Sequence, residues 1–69
     1  MTEFERLRNK AGLTISQLAA EARVSRATIE KIEKGLRVRA PLAQRACNIL
    51  GKYLGREISY EDLNIPVVR

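Results

Sequence analysis

The sequence predicts an all-α domain of five short helices. Three observations predict it. Helix-capping residues recur at short intervals, apolar residues between them repeat at three- and four-residue spacing, and nothing before the last few residues reads as a strand.

Thr2 with Glu5 makes a capping box, in which side-chain oxygens satisfy amide donors left open at a helix start. Phe4, Leu7 and Ala11 then share one face, and Gly12 ends the helix, because left-handed backbone costs glycine little. Thr14 with Gln17 makes a second box ahead of Leu18, Ala19 and Ala22. Ala22-Arg23-Val24 interrupts the period. Ser25 is a good N-cap for a third helix carrying Ile29 and Ile32 and closed by Gly35. A basic loop, 36–40, leads to Pro41, whose missing N–H is not needed in a first turn. Leu42, Ala46, Ile49, Leu50 and Tyr53 are expected on one face of the fourth helix, with Gly55 as its cap. Gly51 lies inside that helix at a cost of about 1 kcal/mol relative to alanine, and close packing is the only reason the sequence suggests. Ser59 with Asp62 is expected to start a fifth helix ending near Leu63. Residues 1–64 are thus expected to form the domain, and 65–69 an apolar C-terminal tail too short to fold alone.

A chain of 69 residues makes one domain. A domain this small buries only about 60% of its unfolded surface, so it needs an efficient core, a staple or a partner. A single cysteine, Cys47, rules out an intramolecular disulfide and reads as a small buried apolar residue. The absence of histidine removes the usual zinc patterns, and no metal, cofactor or small-molecule ligand is expected. A lone thiol, no apolar run near membrane-spanning length and an acidic N-terminus unlike a signal peptide lead to the expectation of a soluble, unexported, cytoplasmic protein. An enzyme is not expected. There is no histidine for acid–base work, Cys47 has no evident activating neighbour beyond Arg45, and no glycine-rich phosphate loop appears.

Thirteen Lys and Arg against eight Asp and Glu give a net charge of +5. That excess points to a polyanionic partner, nucleic acid before others, although a merely solvated basic surface has the same composition. Position decides between them. Two short helices joined by a tight turn, the second followed by a basic loop, form a helix-turn-helix arrangement. In such a pair the second helix lies in the major groove with its N-terminal residues against base edges.

The words Leu7-Arg8, Gly12-Leu13-Thr14, Gln17-Leu18-Ala19, Val24-Ser25-Arg26-Ala27-Thr28-Ile29 and Ile32-Glu33-Lys34-Gly35 occur at matching spacing. In them the chain resembles the phage-repressor and Cro-like (XRE) helix-turn-helix family over roughly residues 6–63. The resemblance implies a compact five-helix repressor-like domain that binds double-stranded DNA and resides on the nucleoid. It implies base contacts from Arg26, Ala27, Thr28 and Lys31, of which Arg26 can pair bidentately with guanine and Thr28 has a phosphate as its alternative. It implies phosphate contacts from Ser25, Lys34, Arg37 and Arg39, which position the domain rather than specify sequence. It also implies a structural ion pair between Arg8 and Glu33. For Lys31 the alternative is pairing with glutamates on its own helix. For Glu30 the choices are solvation, accepting from a cytosine amine, or orienting Arg26. Two positions depart from the family pattern: Ile15 stands where a phosphate-binding glutamine is common, and Arg23 where the turn commonly holds glycine.

One reading helix covers too few base pairs to find a site in a genome, so a homodimer is expected on half-sites roughly 34 Å apart. Leu63, Ile65, Val67 and Val68 offer an apolar dimer surface, the alternative being that they fold back over the core. The same fold would serve an antitoxin, a restriction-modification controller, or a protein-interaction module that has lost DNA binding.

Overall fold

The computed structural model describes residues 2–68, in which four α-helices carry the fold and one pair of two-residue strands completes it. They run α1 (Glu3–Ala11), α2 (Ile15–Ala22), α3 (Arg26–Glu33), β1 (Val38–Arg39), α4 (Ala40–Leu54) and β2 (Val67–Val68). Met1 and Arg69, the outer ends of the two expected segments, lie outside the described residues.

Local chemistry starts and stops the helices. The Thr2 and Ser25 hydroxyls accept the Glu5 and Thr28 amides, and at Thr14 both halves of the box with Gln17 form. Gly12 and Gly55 end α1 and α4 in left-handed backbone. Phe4, Leu7, Leu18, Ile29 and Leu50 meet at the centre of the core, essentially excluded from solvent.

α4 packs against α1, α2 and α3, and its inward face differs from the expected one. Ala43, Ala46, Cys47, Leu50 and Gly51 are buried, whereas Leu42 and Ile49 lie at the rim and Tyr53 is 46% exposed. A helix that touches three others is approached closely, so its small residues turn inward and bulkier ones flank the contact. Tyr53 extends outward, and its hydroxyl donates to Glu21 Oε2 at 2.5 Å. Gly51 is explained by the chain that follows: a Cβ there would sit 2.3 Å from the Arg56 carbonyl oxygen.

The expected fifth helix does not form. Ser59 and Asp62 exchange the two capping hydrogen bonds, but residues 60–64 are turns. Asn64 at φ 54 reverses the chain, and the Ile65 amide donates to the Tyr60 carbonyl at 3.0 Å. A start signal and a stop signal five residues apart leave room for a single closed turn. An α-helix needs more residues to repeat its bonds.

Residues 65–68 do not stand apart as a tail. Ile65 is buried in the core, and β2 pairs in parallel with β1 in the register Val38↔Val67 and Arg39↔Val68. Parallel pairing requires a long crossover, which α4 and the turns after it provide. The division at residue 64 is therefore no boundary in the packing, because Ile65 completes the core that the helices leave open. No helix among the described residues is long and apolar enough to cross a membrane.

Candidate nucleic-acid interface

The α2–α3 connection is three residues long. Arg23 takes left-handed backbone at φ 58, its amide donates to Ala20, and the Val24 amide reaches back to the Ala19 carbonyl at 3.0 Å. The half-buried Val24 packs against the core and fixes the direction in which α3 leaves. The turn thus adopts the geometry that glycine would ease, with the arginine side chain in solvent.

The two sides of α3 differ in burial. Ile29 and Ile32 bury one side. At 100° per residue the opposite side centres on Ala27 and Lys34, with Arg26 and Glu30 on one flank and Thr28 and Lys31 on the other. Arg26, Ala27, Lys31 and Lys34 are exposed and Thr28 is half-buried. Arg26 and Glu30 approach to 4.0 Å, a loose contact between two solvated side chains. Lys31 has no ion-pair partner among the described residues, so pairing with its own helix does not hold it.

At the start of α3, the Ser25 oxygen accepts the Thr28 amide at 3.1 Å and lies 2.9 Å from the Thr28 hydroxyl. Either hydroxyl can donate in that contact, and when Thr28 donates the Ser25 proton is free to reach outward. Beyond α3, Gly35 at φ 77 turns the chain and the Leu36 amide caps the Lys31 carbonyl at 2.9 Å. The chain then runs into β1, where Val38 is buried and Arg37 and Arg39 stay exposed. Thr28, Lys31, Arg37 and Arg39 line one shallow groove, together with Leu42 and Val68. Lys34, at the centre of the exposed side, also lines a recess with Ile15, Glu5, Glu30 and Glu33. Basic side chains therefore stand at the centre of the exposed helix face and along the flank that carries Thr28 and Lys31.

The Arg8 and Glu33 side chains meet between α1 and the end of α3. The guanidinium donates through Nε to Glu33 Oε2 and through Nη2 to Oε1 at 3.2 Å, and its Nη1 donates to the Leu13 carbonyl at 2.9 Å. Both side chains are about nine-tenths buried, at 11% and 10% exposure. The contrast is Arg6 with Glu3, an exposed pair on one turn of α1.

Of the four residues offered as a dimer surface, Ile65 is buried in its own chain, Leu63 and Val67 pack partly against the core, and Val68 is 51% exposed. The alternative of folding back over the core thus describes most of the segment. The sequence reading missed the β1–β2 pair and the place of Val68 in the groove. Two-residue strands far apart in sequence carry no periodic signal that could have revealed them.

The helix-turn-helix domain family matches residues 2–52, which takes in α1, α2, α3, β1 and most of α4. Comparison with curated proteins and with solved structures finds no match. With the matched span covering most of the chain and the α2–turn–α3 unit at its centre, the chain belongs to the helix-turn-helix domain family, whose members' domain class is that of DNA-binding regulators.

Proposed function

We propose that this protein is a sequence-specific transcriptional regulator, a repressor, that reads the major groove of double-stranded DNA with α3 as a homodimer. The observation that carries the reading is the outward face of α3. It presents Arg26, Ala27, Thr28 and Lys31 away from a fully buried apolar face, with exposed basic side chains alongside. Arg26, Ala27, Thr28 and Lys31 are assigned to base edges, and Ser25, Lys34, Arg37 and Arg39 to phosphates.

Repression requires the fewest parts, since occupancy of a promoter suffices. Dimerisation follows from site size, because four reading side chains specify too few base pairs alone. Binding rather than catalysis is the proposed activity, carried out in the cytoplasm on the nucleoid. Cys47 supports that choice: it is buried, and burial pushes its thiol up to about 12, so it is no nucleophile. Ile15 favours a second reading, a protein-interaction module, because an apolar side chain stands at the start of α2 where a phosphate ligand would be useful.

Selection from a random duplex library at roughly physiological salt tests the proposal. The expected result is an inverted repeat with half-sites roughly 34 Å apart. Arg26→Ala is expected to cost about 1–3 kcal/mol and relax one position per half-site. Arg39→Ala is expected to weaken all sequences alike and reduce the salt slope by about 0.9 per lost contact. No enrichment over random sequence overturns the proposal and favours the interaction module.

A further inference from the structure

We propose that the C-terminal strand β2 is part of the DNA interface, with Val68 contacting deoxyribose and, through strand pairing, holding Arg39 toward the phosphates. The inference rests on the DNA-binding reading above and concerns a strand, β2, that lies beyond the span that matches the family.

Three observations lead to it. The first is register. Val38 pairs with Val67 and Arg39 with Val68. Alternation along a strand sends neighbours to opposite faces, so the buried Val38 and the half-buried Val67 point inward while Arg39 and Val68 share the outward face. Adjacent strands lie about 4.8 Å apart, which places the valine against the aliphatic stem of the arginine. The Val38 amide also donates to the Pro66 carbonyl at 3.3 Å, which ties the basic loop to the end of the chain.

The second is position. Val68 lines the same groove as Thr28 and Lys31, assigned to bases, and as Arg37 and Arg39, assigned to phosphates. In a nucleotide the sugar connects base to phosphate. Val68 lies beside both sets in that groove, and the apolar part of a nucleotide that it can meet there is the carbons of deoxyribose.

The third is exposure. Val68 is 51% exposed and among the few large apolar side chains that the described residues leave in solvent. On the side of the groove its charged neighbours are all cationic, Lys31, Arg37 and Arg39, which suits an anionic polymer, while Ala40, Pro41 and Tyr60 flank it on the other side.

The test uses the full chain with Val68→Glu, Val68→Lys and Val68→Ala. Affinity for the selected duplex is measured by fluorescence anisotropy across salt concentrations, with thermal melts and sedimentation in parallel and Lys31→Ala as the control. A glutamate would repel phosphates and draw Arg39 away from them. Val68→Glu is expected to weaken binding about tenfold or more and to lower the salt slope by about 0.9 or more. Val68→Lys is expected to bind as well as the unmodified chain or better, and Val68→Ala about threefold more weakly, for the lost apolar area. All three should melt alike, since the side chain stands half in solvent. Should Val68→Glu melt early, Val68→Ala and Val68→Lys carry the test. Lys31→Ala weakening binding while no Val68 variant does overturns this inference and leaves the DNA reading intact. A shift to lower mass in both charged variants overturns it in favour of a contact between copies. No duplex binding by the unmodified chain overturns both.

Discussion

Replacing Glu33 by alanine isolates the tie between α1 and α3. The variant loses both hydrogen bonds from Arg8 to the carboxylate and leaves a guanidinium in a site where the pair is about nine-tenths buried. Removing one partner of a buried pair costs about 3–5 kcal/mol, because the remaining charge stays desolvated. One bond survives, from Arg8 Nη1 to the Leu13 carbonyl, so the lower end applies, about 3 kcal/mol. A domain of this size has about 4–10 kcal/mol in all, and each kcal/mol shifts Tm by about 4–8 °C. The expected fall is therefore about 12–24 °C, measured by circular dichroism at neutral pH and checked by urea titration. Glu3→Ala removes the exposed carboxylate that pairs with Arg6, and its Tm should not change. Replacing both Arg8 and Glu33 by apolar residues of similar size should recover most of the loss, since no charge is then stranded. A fall of less than about 1 kcal/mol in Glu33→Ala would refute the view that the pair braces α3.

Gly51→Ala gains about 1 kcal/mol in helix propensity but drives a methyl into the Arg56 carbonyl at a cost of about 1–3 kcal/mol, so no net gain and a loss of up to about 2 kcal/mol is expected in urea melts. Arg23→Gly should raise stability by about 0.5–1 kcal/mol, because relief of left-handed strain outweighs the added chain entropy; an unchanged or lower Tm counts against the strain. For Cys47, burial, assisted by Asp62, raises the folded thiol to about 12 while the unfolded thiol stays near 9.0. The stability from this group is therefore full below pH 9.0 and lost as pH rises toward about 12, and Cys47→Ala should flatten that part of the stability profile. Thiol reagents should label Cys47 only as fast as the domain unfolds.

The helix ends were legible because their causes are local. Thr2, Thr14 and Ser25 act on amides within three residues, and Gly12 and Gly55 answer to backbone angles alone. The inward and outward sides of α3 were legible for a similar reason, since Ile29 and Ile32 recur at helical spacing among polar residues. On α4, Ala46, Leu50 and the buried Cys47 were legible, but size favoured Leu42, Ile49 and Tyr53 over Ala43 and Gly51, while close helix contact favours the small residues. Gly51 could not be explained without knowing where the Arg56 carbonyl falls. Ser59 and Asp62 did form their box, so that failure lay in extending a correct cap into a helix that Asn64 does not allow. The groove was half legible. Its basic residues stood out by charge, but β2 reaches it through a long-range pairing with no local signal.

These particulars bear on how a small domain without a disulfide holds a reading helix still. α3 is fixed at three places by different means. Its start is set by the Arg23 turn and the Ser25 cap, its end by the Arg8–Glu33 pair, and the loop beyond it by β2. Between them, Ile29 and Ile32 bury the inward side, so rigid rotation of the helix would break the core. Association is weakened by whatever freedom the interface must lose, so side chains on a helix held this way bind with less entropy to give up than the same side chains on a loop. Each tie can then affect affinity without touching DNA. Loss of a tie loosens the whole face and lowers affinity for every sequence together. Under the proposed function, loss of Arg26 or Lys31 is expected to remove one contact and to change which sequence is preferred. Mutational effects on affinity should therefore separate into two kinds, and which kind a residue belongs to follows from whether it holds α3 or projects from it.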